Sequence, residues 1–149
     1  MLHGTAKKQT GGERGPDKGG CYLYGRHFNP TVYNLSRQLA ALEGTEAAYC
    51  TASGMAAISG TLLQLCNQGD HIVSANTVYG GTYALLHDFL PAKSGITTTL
   101  VDITDLEAVE AAMQDNTRVL YAESIANPTL RLANIPALAE IAHRHGAKL

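Results

Sequence analysis

Five short apolar runs alternate with five segments of helical periodicity along this chain, and that alternation limits its fold more than any other feature. The runs are Glu46–Thr51, His71–Ala75, Ile96–Val101, Thr117–Ala122 and Ala147–Leu149, each short enough to be a buried strand. Between them lie predicted helices. Asn29-Pro30-Thr31 opens the first, Leu35, Leu39 and Leu42 give it an apolar face, and Gly44 stops it. Ile58, Leu62 and Leu65 recur at helical spacing in the second. Tyr83–Leu90 is closed by Pro91, Asp105–Met113 is capped by Thr104 or Asp105, and Ile135–His145 ends at Gly146. Strand followed by helix, repeated, predicts an α/β fold: a mostly parallel sheet with helices on both faces. Ligands in such sheets sit at the carboxyl ends of the strands. Ser53-Gly54-Met55, Tyr79-Gly80-Gly81 and Glu123 to Asn127 all fall there.

Composition excludes several classes. With 45% hydrophobic and 16% charged residues, 149 residues can bury a core of about one domain. A net charge of −2 gives no basic face for nucleic acid or a membrane surface. No apolar run approaches the ~20 residues of a membrane span, and the first residues hold no apolar segment of the kind a secretory signal needs. Cys21, Cys50 and Cys66 lack CxxC spacing, which points to a reducing, cytoplasmic setting; Cys50 and Cys66 read as small core residues. The histidines form no metal motif, since His143 and His145 point apart on a helix. Residues 1–20, rich in Gly and Lys, read as a flexible arm.

The chemistry-bearing stretch is Ala52-Ser53-Gly54-Met55, a small-residue turn from strand into helix. The first helical amides lack intrahelical acceptors, the helix dipole favours negative charge, and Gly54 permits close approach, so the turn suits a phosphate. It equally suits an ordinary helix start with Ser53 as N-cap. Tyr24-Gly25-Arg26 puts a phenol and a guanidinium on one face of an extended segment, as a phosphate-binding or a simple surface pair. Tyr79 can stack on a flat cofactor and carry a proton, or be a core tyrosine. Asn127, four residues beyond Glu123, can hold a cofactor hydroxyl or only make an Asn-Pro turn. No GxGxxG, GxxxxGK[ST] or GxSxG pattern occurs, which weighs against dinucleotide, nucleoside-triphosphate and serine-hydrolase sites.

Taken in order, Tyr24-Gly25-Arg26-His27-Phe28-Asn29-Pro30-Thr31, Leu42-Glu43-Gly44, Ala52-Ser53-Gly54-Met55, Val78-Tyr79-Gly80-Gly81-Thr82, Glu123 to Thr129 and His143 to Leu149 resemble the Cys/Met-metabolism (trans-sulfuration) family of pyridoxal-phosphate enzymes. Residues 21–66 and 78–82 are most similar to its plant-type methionine gamma-lyase branch. The resemblance implies the aspartate aminotransferase-like fold type I, with residues 21–149 forming the N-terminal part of the cofactor-binding large domain. It implies pyridoxal 5'-phosphate as cofactor. The backbone amides of Gly54 and Met55 would take its phosphate, Tyr79 would stack on its ring and move protons, and Asn127 would lie near its phenolic oxygen. Glu123 holds a matching acidic position. Tyr24 and Arg26 would reach a neighbour's phosphate in a dimer that shares active sites, within a homotetramer.

The implied reaction is gamma-elimination of methionine to 2-oxobutanoate, methanethiol and ammonia. The alternatives within the family are cystathionine gamma-synthase, cystathionine gamma-lyase and O-acetylhomoserine sulfhydrylase chemistry. Gly81 stands where bacterial methionine gamma-lyases have a cysteine tied to substrate preference. None of Lys7, Lys8, Lys18, Lys93 or Lys148 lies in the family's Schiff-base context, and the strand at Ala147 has no closing element. The chain therefore reads as an inactive fragment of an enzyme, or as a non-catalytic binding or dimerisation piece.

Overall fold

A computed structural model describes Tyr24, Gly25 and residues 29–149. The expected arm at 1–20 and Arg26 lie outside the described residues. The described chain falls into two units, one ending at Thr51 and one spanning Ala52–Leu149.

In the first unit, α1 (Pro30–Glu43) starts where Asn29 accepts hydrogen bonds from the amides of Thr31 and Val32, at 3.0 and 3.2 Å. It stops at Gly44, whose φ of +65° is reached at little cost without a Cβ. Leu35, Leu39 and Leu42 remain exposed, and Ala40 is the buried residue of the helix. The strand expected at Glu46–Thr51 does not form: the segment is irregular, and Tyr49 is 91% exposed. Two adjacent alanines give a weak pleated surface, and no ladder partner is present among the described residues.

The second unit holds the sheet. Its elements are α2 (Gly54–Leu65), β1 (His71–Ala75), α3 (Gly80–Ala84), a π-helical turn (Leu85–Phe89), α4 (Leu90–Ser94), β2 (Thr97–Val101), α5 (Leu106–Ala112), β3 (Thr117–Tyr121) and α6 (Ile135–Arg144). The strands run parallel in the order β2-β1-β3, and β1 is buried along its whole length. Lys148 bridges in parallel to Val119 on the far side of β3, so the chain re-enters the sheet as Ala147–Leu149 was expected to.

Alternation along the strands builds two cores. Val73, Ala75 and Leu120 pack with Val109 of α5 and Leu138, Ile141 and Ala142 of α6. Ile72 and Val119 point the other way, onto Leu62, Cys66, Leu86 and Leu90. Cys66, four residues after Leu62, takes the buried place, while Leu65 is 38% exposed. Cys50 is half-buried in the first unit, beside the Ser36 hydroxyl.

Pro91 does not close its helix. The π turn carries the Leu90 amide to the Leu85 carbonyl, and Pro91 then falls in the first turn of α4, where no N–H is needed. The helix ends instead at Gly95, φ +65°. Asp105, not Thr104, caps α5, accepting from the Ala108 amide at 3.0 Å.

Candidate functional site

The site lies at the carboxyl ends of β1 and β3, beside the start of α2. Ser53 caps α2 twice: its Oγ accepts from the Ala56 amide and its carbonyl from the Ala57 amide, both at 3.1 Å. That leaves the Gly54 and Met55 amides, the first two of the helix, with no acceptor inside it. A Cβ added to Gly54 would meet nothing within 4 Å, so the space on that side of the turn is open.

Tyr79 sits in the turn between β1 and α3 and is 58% exposed. Its amide donates to Glu123 Oε1 at 2.8 Å, and its carbonyl accepts from the Tyr83 amide at 2.9 Å. The ring lies over Gly81: a Cβ there would stand 2.6 Å from Tyr79 Cε1 and 3.3 Å from Met55 Sδ. The structure thus gathers Met55, Tyr79, Gly81 and Glu123 in one place. Two further residues belong to the group. Thr82 is fully buried, with its Oγ1 3.9 Å from Met55 Sδ, and Tyr121 ends β3. Burial pushes the Tyr121 phenol up; the Thr82 hydroxyl opposes this, and the Glu123 charge adds to it. Thr82 and Tyr121 are recognisable as site residues only after the strand order is known, although the Tyr121-x-Glu123 spacing puts both on one side of an extended chain.

Asn127 is exposed, at a cis peptide bond to Pro128. Among the described residues no hydrogen bond joins its side chain to the Tyr79 group. Its loop is closed by the Ala126 amide donating to the Arg131 carbonyl, 2.9 Å, and by an antiparallel bridge between Ile125 and Leu132. Arg131 Nη1 pairs with Asp102 Oδ2 at 2.6 Å and ties the loop to the end of β2. The Thr104 hydroxyl and amide, followed by Arg131, hold the Asp102 carboxyl down at about 2. Tyr24 belongs to the first unit and is 59% exposed. Among the described residues no group of three His, Cys, Asp or Glu side chains is placed to hold a metal ion. No helix among them is long and apolar enough to cross a membrane.

Residues 3–149 match the model of a family described as Cys/Met metabolism PLP-dependent enzyme. The chain belongs to this family. Pyridoxal phosphate is the cofactor of the Cys/Met metabolism enzymes, and the sheet described above is a partial domain of their fold type I. A methionine gamma-lyase of Arabidopsis thaliana is 59% identical over 143 residues, which are 95% of this chain and 32% of the plant protein. A Campylobacter jejuni structure assigned as O-acetylhomoserine (thiol)-lyase, bearing a pyridoxyl-lysine phosphate, superposes with a TM-score of 0.85 at 33% identity. The match covers 99% of this chain and 34% of the other. Cystathionine gamma-lyase of Lactobacillus plantarum, complexed with L-serine, gives 0.81 at 38% identity, covering 93% of this chain and 34% of the other. The chain spans about a third of the length of these relatives.

Proposed function

We propose that this chain supplies the phosphate-binding turn and ring-stacking tyrosine of a pyridoxal-phosphate enzyme that carries out gamma-elimination on methionine. The observation that carries the reading is the opening of α2: two amides without helical acceptors, with Met55 and the Tyr79 ring converging on Gly81. These residues fit the group. The amides of Gly54 and Met55 suit a phosphate, the space where a Gly54 side chain would stand is open, and the exposed Tyr79 converges with Met55 on Gly81. Bound there, the cofactor supplies an electron sink for carbanion chemistry.

The chain's own residues do the rest. Gly54 and Met55 anchor. The Tyr79 face orients the pyridine ring, and its hydroxyl moves a proton. Asn127 holds the phenolic oxygen, and Glu123 completes the cradle through its bond to the Tyr79 amide. Tyr24 and Arg26 serve the phosphate of a partner subunit in a dimer, itself half of a tetramer. Turnover is proposed for a protein of the relatives' full length. A cytoplasmic location accords with the three cysteines lacking CxxC spacing.

The 59% identity to a methionine gamma-lyase favours elimination over synthesis. Supplying the full-length enzyme with methionine alone, then with O-acetylhomoserine plus sulfide, separates the two. Release of 2-oxobutanoate and methanethiol from methionine supports the reading. Turnover only of the activated homoserine makes the protein a sulfhydrylase.

A further inference from the structure

We propose that Glu123 is a positioning residue that fixes Tyr79 by its backbone and so aims the phenol ring across Gly81. The inference rests on the cofactor reading above and deepens it.

Tyr79 is 58% exposed, so packing alone does not decide where its ring points. The backbone does. The Tyr79 amide donates to Glu123 Oε1 at 2.8 Å across 44 positions of sequence, and its carbonyl accepts from Tyr83 at 2.9 Å. Tyr79 itself is extended, φ −50° and ψ 137°, at the point where the chain turns into α3. A carboxylate accepting from an amide makes a charge-assisted bond, stronger than a neutral one. Glu123 lies two residues beyond the end of β3, so the sheet carries the acceptor that holds the turn. Gly81 then supplies the clearance: with any Cβ at that position the ring would have to swing away. One oxygen of Glu123 is thereby committed to the protein backbone, and its effect on a bound cofactor passes through Tyr79.

The test uses the 149-residue chain with 15N at the backbone and 13C in the rings of its seven tyrosines, the Tyr79 amide and ring signals being identified by their loss in Tyr79→Phe. In the unsubstituted chain that amide should be protected from exchange. In Glu123→Gln, which keeps an acceptor oxygen, it should stay protected. In Glu123→Leu it should exchange about tenfold faster, the factor one net hydrogen bond is worth. The other six tyrosine amides report that the fold is intact. Added pyridoxal phosphate should then shift the Tyr79 ring signals in the unsubstituted and Gln chains, and much less in the Leu chain. Exchange unchanged in the Leu chain, or as fast in the Gln chain as in the Leu chain, overturns the anchor. Equal ring shifts in all three chains overturn the positioning role. No ring shift in the unsubstituted chain removes the cofactor reading, and the positioning role with it, while amide exchange still judges the anchor by itself.

Discussion

The ring of Tyr79 occupies the space that a side chain at position 81 would need: a Cβ on Gly81 would stand 2.6 Å from Tyr79 Cε1. Replacing Gly81 with Ala must therefore displace the ring. Because the ring is half free, the fold should tolerate this, and Ala is the better helix residue by ~0.5–1 kcal/mol. We expect the melting temperature of Gly81→Ala to hold or rise while pyridoxal phosphate affinity falls several-fold. A thermal melt beside a cofactor titration checks both. Unchanged affinity would separate the ring position from binding.

Thr98 carries a buried hydroxyl with no partner among the described residues, next to Ile72 across the β1–β2 ladder. An unsatisfied buried polar group costs about 1–3 kcal/mol. Thr98→Val keeps the shape and removes the group, and we expect a gain of roughly 1 kcal/mol by urea denaturation. A loss of that size would mean that the hydroxyl has a bonding role.

Leu138 is fully buried on the face of α6 that meets Val73 and Leu120. Leu138→Ala should cost about 3 kcal/mol, within the span seen for leucine truncations in well-packed cores. Chemical denaturation at neutral pH measures this directly. A cost under about 1 kcal/mol would show that α6 is loosely seated.

His71 joins all three strands: Nδ1 lies 2.8 Å from Thr117 Oγ1, Nε2 lies 2.9 Å from Thr99 Oγ1, and the Gln114 amide is 3.3 Å from Nε2. Burial pushes its pKa below the usual 6.5. A base whose folded pKa is depressed takes up protons on unfolding, so its contribution is complete above 6.5 and is lost as pH falls toward the folded value. The chain should therefore lose stability between neutral pH and pH 5, and His71→Gln should flatten that slope. Equal slopes would remove His71 as the cause.

Much of the fold is legible in the sequence because the strands are marked by β-branched residues. His71–Ala75, Thr97–Val101 and Thr117–Tyr121 fall where Ile72, Val73, the three threonines and Val119 place them. Glu46–Thr51 fails for the opposite reason, as its alanines specify no pleated surface. Pro91 misleads because a π turn, invisible in residue patterning, resets the hydrogen-bond register ahead of it. In the site, the Ser53 cap and the exposed tyrosine could be read locally. The bond between Tyr79 and Glu123 could not. It exists because β1 and β3 are parallel neighbours whose carboxyl ends lie side by side, and sheet order is set by packing rather than by any local signal.

The measurement closest to the central claim is a titration of the 15N-labelled chain with pyridoxal phosphate, following the Gly54 and Met55 amides. Both should shift together and saturably, in step with the Tyr79 ring, with inorganic phosphate moving the two amides but not the ring. If the shifts fall on other residues, or if these two amides stay still, the start of α2 is an ordinary capped helix and the cradle described here does not bind the cofactor.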